Sequence, residues 1–176
     1  EAMQERQLTL DGTTYQLPRP FMVIATQNPI EYEGTFPLPE AQLDRFMLKL
    51  SVGYPDLDEE REILRRRANR VDDEVILNAI TDAAALRKMR LTTEDVHVDE
   101  DLERYIAAIV HETRKDRRVA VGASPRGSLA FLKIARAYAA MQGRDYVLPD
   151  DIKRFGTAVL SHRIILQPEY WMASRV

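Results

Sequence analysis

Three residues have the type and placement to do chemistry on a phosphate: Asn28, Arg45 and Arg126. Asn28 ends a short apolar run and precedes Pro29. An amide there can hold a water or a phosphate oxygen without bringing a charge, although Asn-Pro is also an ordinary turn opener. Arg45 follows a polar loop and stands between Asp44 and Phe46. Its permanent charge and forked donors suit planar phosphate recognition. Phe46 behind it would anchor the backbone and leave the guanidinium facing outward, while a surface ion pair with Asp44 is the competing reading. Arg126 takes the second position of a helix opened by Ser124 and Pro125. A cation at that positive end is disfavoured locally by ~0.3–1 kcal/mol. The conflict favours an anion site, with Gly122 and Gly127 allowing close approach. The alternative is a side chain that swings into solvent or onto an upstream acid.

These residues need elements to hold them. Residues 21–26, Phe-Met-Val-Ile-Ala-Thr, form a continuous apolar run between prolines and predict a buried central strand. Ligands of α/β proteins are met at strand ends. Residues 46–52 predict a second strand, which stops at Gly53-Tyr54-Pro55. Ahead of both, two strand-like runs flank Asp11-Gly12, the sequence of a tight hairpin turn. Past Pro55 the pattern is helical. Asp56 and Glu59 make a capping box. Further helices are expected over about 82–90, over 100–114 with Leu102, Ile106, Ile109 and Thr113 on one face, over 125–142, and from Pro149 through Val159. The fourth, with Leu129, Phe131, Ile134, Tyr138 and Met141, should be the core of the bundle; residues 163–166 read as a last strand or extended tail. The fold class is α+β: a hairpin and two core strands in residues 1–54, then an all-α bundle in 55–176.

Composition narrows the function. The chain has 176 residues, 45% of them hydrophobic and 30% charged, with a formal charge of −3. That charge argues against nucleic acid as a bulk partner. There is no cysteine, so thiol catalysis, thiolate metal sites and disulfides are excluded. His97, His111 and His162 lack metal-ligand spacing, and no metal site is expected. No apolar run reaches the roughly 20 residues of a membrane span. No Gly-x-Ser-x-Gly and no Gly-rich loop ending in Lys-Ser/Thr occurs. The basic clusters at residues 65–70 and 114–118 read as solvated helix ends, and His162-Arg163 as structural. The first residues read as the end of a helix, as in a piece of a longer protein.

An asparagine at a strand end, an outward arginine and an arginine opening a bundle helix together suggest three probes around a nucleotide phosphate. The stretches EAMQERQ, PRPFMVIATQNPIEYEGTFPLPEAQLDRF and VGASPRGSLAFLKIARAYA resemble the MoxR family of AAA+ ATPases, and the resemblance covers essentially the whole chain. It implies an AAA+ α/β core followed by a helical lid. Asn28 would be sensor 1, Arg45 the arginine finger that reaches the neighbouring subunit's γ-phosphate, and Arg126 sensor 2. The hairpin would be the pre-sensor-1 hairpin facing the pore of a ring, and Tyr54 and Pro55 would lie at the hinge beside the nucleotide. The resemblance further implies ATP and Mg²⁺ as cofactors and self-assembly into a hexamer. Partners would be remodelled in chaperone fashion, often with a von Willebrand factor A-domain protein, in the cytoplasm. The family's Walker A and Walker B motifs do not occur in these residues; they would lie upstream, and this stretch alone should not hydrolyse ATP. The competing expectation is a non-enzymatic helical module that binds protein or nucleic acid through its basic helix ends.

Overall fold

Asp11 and Gly12 both adopt positive φ, 48° and 77°, and between them turn the chain into the expected hairpin. The computed structural model describes residues 2–27, 38–70 and 77–173. Within these, the order is α1 (Ala2–Glu5), β1 (Gln7–Leu10), β2 (Thr13–Gln16), α2 (Glu40–Leu43), α3 (Leu57–Ala68), α4 (Ala83–Glu94), α5 (Glu100–Thr113), β3 (Val119–Val121), α6 (Pro125–Met141), α7 (Pro149–Arg154), α8 (Gly156–Leu160), β4 (Ile165–Leu166) and α9 (Pro168–Ala173). β1 and β2 pair antiparallel, Leu10 opposite Thr13 at the turn.

The chain forms two compact units. One holds the residues up to Lys49 and those from Ala83 on; the other is Leu50–Asp82. The second unit contains α3, whose capping box is formed as expected: Glu59 N–H donates to Asp56 Oδ1 at 2.8 Å and Asp56 N–H to Glu59 Oε2 at 3.0 Å.

The core of the first unit is helical. α6 runs through it with Gly127, Ala130, Phe131, Ala135 and Ala139 buried. Ile106 and Val110 of α5, Ile152 of α7 and Val159 of α8 pack around it. Ser124 caps α6, its Oγ accepting from Arg126 N–H at 3.1 Å, and Gly143 leaves the helix with φ 72°. The buried face of α6 is mostly small residues, and two of the large ones expected in the core, Leu129 and Met141, lie in solvent. A stripe of Gly and Ala lets neighbouring backbones come close, with Phe131 filling what remains.

Other expectations need correction. Neither residues 21–27 nor residues 46–52 form a strand. A strand is defined by its ladder, and neither segment meets a pairing partner among the described residues. Met22 and Ile24 are about three-quarters exposed as a result. Lys49 N–H instead donates to the Ala158 carbonyl at 2.9 Å, and Leu48 packs on the helical core. The single helix expected from Pro149 is two, α7 and α8, joined at Phe155. The region beyond Pro55 is not purely helical: β3 and β4 pair antiparallel through Val119–Leu166 and Val121–Ile165. Residues 163–166 thus include a strand.

A candidate nucleotide-sensing site around Asp44

The turn that follows α2 sorts two adjacent charges to opposite destinations. Asp44, Arg45 and Phe46 donate their N–H groups back to Glu40, Gln42 and Leu43 at 3.0–3.1 Å. In that tight turn Arg45 is exposed, and Asp44 faces the start of α6 with its side chain only 20% accessible. The Asp44–Arg45 surface pair does not form. The Asp44 carboxylate meets three other groups: Ser124 Oγ–H donates to Oδ2 at 2.8 Å, Arg163 Nε–H to Oδ1 at 3.2 Å, and Arg126 Nη1–H to Oδ2 at 3.5 Å.

This arrangement resolves the conflict at the N-terminus of α6. An acid beside the first turn is favourable for the same reason that a cation is not. Ser124 relays between them, accepting from the Arg126 amide and donating to Asp44. Arg126 therefore swings onto an upstream acid, one of the two alternatives its position allowed. Its contact is long and its side chain 47% exposed, so the pair is weak and open to water.

Arg163 has the surroundings of a structural residue. Its side chain is 2% accessible. A buried guanidinium must have its donors satisfied. Besides Asp44 Oδ1, it donates to the carbonyls of Asp44 and Met47, both at 3.3 Å, and to those of Phe46 and Val159. Burial draws the Arg163 guanidinium below its ordinary value and Asp44 opposes the shift. Next to it, His162 Nε2–H donates to the Phe46 carbonyl at 3.0 Å, and Nδ1 is buried with no partner among the described residues. Burial first, then the positive Arg163 and Lys49, hold the imidazole below its ordinary range, against the Phe46 carbonyl and Asp44.

The glycines do not serve the purpose expected of them. A Cβ on Gly122 would lie 2.7 Å from Arg114 Cγ and 2.8 Å from Arg114 Cα and N. On Gly127 it would meet Ala123 Cβ at 3.4 Å and Arg163 Cδ at 3.6 Å. Both face protein, not an approaching ligand. Gly122 lets the loop before α6 lie against the end of α5, where Ala123 N–H donates to Thr113 Oγ1 at 3.0 Å and the Ala123 carbonyl accepts from Arg114 Nε at 2.8 Å.

The fold thus brings Arg126 to the Asp44 carboxylate, while Arg45, next in sequence, is exposed. Asn28 lies outside the described residues. Tyr54 and Pro55 belong to the other compact unit, with Tyr54 93% exposed. Sequence reasoning missed Asp44 and Arg163 as a pair. The available signal was a guanidinium set among Val159, Leu160, Ile164, Ile165 and Leu166, where a charge must find a partner. Among the described residues no cluster of acids and histidines could hold a metal ion.

Comparison with known proteins agrees with this architecture. Residues 1–48 match the family described as "ATPase family associated with various cellular activities (AAA)", and residues 111–175 match "AAA lid domain". These matches define an AAA-type ATPase core segment joined to its lid. The relatives narrow it: the chain is 47% identical over 169 residues to YeaC of Bacillus subtilis strain 168, covering 96% of this chain and 52% of that protein. It is 42% identical over 175 residues to the chaperone MoxR1 of Mycobacterium tuberculosis, covering 94% of this chain and 46% of that protein. The crystal structure of a candidate ATPase from Cytophaga hutchinsonii superposes with a TM-score of 0.90 at 40% identity, over 98% of this chain and 55% of that one. The chain belongs to the MoxR family of AAA+ ATPases. It spans about half the length of the curated relatives it matches.

Proposed function

We propose that these residues form the sensing and lid part of an ATP-hydrolysing, ring-forming chaperone. Arg45 acts as the arginine finger offered to a neighbouring subunit. Arg126 acts as sensor 2 toward the nucleotide of its own subunit, and Asn28 positions the attacking water there. The observation that carries this reading is the sorting at Asp44: one carboxylate faces Ser124, Arg126 and Arg163, while the adjacent Arg45 is exposed.

ATP supplies the transferable phosphoryl group, and Mg²⁺ neutralises phosphate charge. Both would be bound chiefly by a nucleotide-binding segment ahead of these residues. Arg126 fits a phosphate: it sits in the first turn of a 17-residue helix, half-exposed, and among the described residues its side chain holds only a long contact to Asp44. Tyr54 and Pro55 would border the nucleotide at the hinge. Phosphoryl transfer is catalysed mainly by positioning and charge stabilisation, and these side chains supply both. The assembly would be a cytoplasmic hexamer that remodels protein partners, a von Willebrand factor A-domain protein among them.

Arg45→Ala in the full-length protein tests this. Hydrolysis should fall by about 10³-fold or more with nucleotide affinity kept within a few fold. Hydrolysis at the normal rate would remove Arg45 from the finger role. The isolated 176 residues should show no nucleotide-dependent hydrolysis.

A further inference from the structure

We propose that Arg163 and Asp44 are positioning residues for Arg45, joining the finger offered to one nucleotide to the lid that senses another. The inference rests on the finger role given to Arg45. Arg163 follows α8, two residues before β4, and four of its five N–H groups are met by residues 44–47. Its acceptors are the Asp44 carboxylate, the carbonyls of Asp44, Phe46 and Met47, and the Val159 carbonyl of α8. Three of the acceptors are backbone carbonyls on both sides of Arg45. The guanidinium therefore fixes the peptide that carries the finger, not the finger side chain. His162 adds a second hold on the Phe46 carbonyl. The other Asp44 oxygen is bound to Ser124, which caps the helix bearing Arg126. When Arg126 leaves Asp44 for a phosphate, Ser124 and Arg163 still satisfy the carboxylate, so the exchange strands no charge. A shift of the α6 N-terminus toward a nucleotide is passed through Ser124 and Asp44 to the backbone of Arg45.

Lysine cannot substitute for Arg163, because one ammonium cannot reach acceptors spread from Asp44 to Met47 and Val159. Asparagine at 44 keeps an acceptor for Ser124 and removes the charge. The test uses Arg163→Lys and Asp44→Asn in the full-length ring. We expect kcat for ATP to fall tenfold or more in each, with nucleotide Kd changed less than threefold and the thermal transition still cooperative. Added to wild-type rings, Asp44→Asn subunits should lower activity more steeply than dilution, because each offers a displaced finger to a wild-type neighbour. Activity falling only in proportion to dilution overturns the coupling. So does a loss of kcat matched by an equal loss of nucleotide affinity. Arg45→Ala run in parallel separates the two levels. If it is inactive while both positioning variants hydrolyse normally, the positioning role fails and the finger role stands. If it hydrolyses normally, the finger role itself fails.

Discussion

Asp44 Oδ1 accepts from Arg163 Nε at 3.2 Å, across 119 residues of sequence. A buried arginine is tolerated because its donors are met, and here they are met by the turn that presents Arg45. The residues that follow α8 and the turn that presents Arg45 are thus one structural piece.

Arg126 should behave differently from Arg45. Its contact with Asp44 is long and half-exposed, so Arg126→Ala should leave the fold intact, with a change in stability within about 0.5 kcal/mol. Nucleotide affinity and hydrolysis should both fall. Fluorescent-nucleotide titration beside a thermal melt checks both halves of this expectation.

Among the described glycines, Gly122 has the least room for a side chain. A methyl there would stand 2.8 Å from the Arg114 backbone, which cannot give way cheaply. Gly122→Ala should cost ~1–3 kcal/mol by overpacking, measured by urea denaturation. Because Ser124 follows two residues on, the same variant should also weaken the response to nucleotide.

How much of this was legible in the sequence follows the range of the interactions. The Asp11-Gly12 hairpin, the Asp56–Glu59 capping box and the limits of α6 depend on neighbours a few residues apart, and each formed where read. The two strands failed because the apolar run at residues 21–26 and the imperfect alternation at 46–52 do not themselves supply ladder partners. β3 was missed because three residues carry too little periodicity to be recognised. The acid that Arg126 meets was readable as a possibility. The choice of Asp44 for that role was not, since the two stand 82 positions apart.

Stability should depend on His162 near neutral pH. The unfolded chain takes up this proton near 6.5, and the folded chain only at lower pH, where Nδ1 must be charged in a site with no acceptor among the described residues. The unfolded state therefore binds more protons in that window, and stability rises with pH across it. Tm should fall on acidification below pH 6.5, and His162→Gln should flatten that part of the profile. An unchanged slope would contradict the assignment.

The core should respond along α6 by burial, not by residue size alone. Phe131 is fully buried, and Phe131→Ala should cost ~3–5 kcal/mol. Leu129, two positions earlier and 55% exposed, should change stability by no more than about 0.5 kcal/mol when truncated. Chemical denaturation of the two variants side by side provides the comparison.

The small-residue face of α6 has a mechanical consequence. Gly127, Ala130, Ala135 and Ala139 are buried along a helix of 17 residues, or about 25 Å. Side chains this short have almost no rotamers to trade, so neighbouring helices cannot absorb a displacement by repacking around them. α6 then works as a stiff rod with Arg126 at its tip. A movement of an ångström there should reach the far end of α6 as a movement of similar size, as along a lever rather than a cushion.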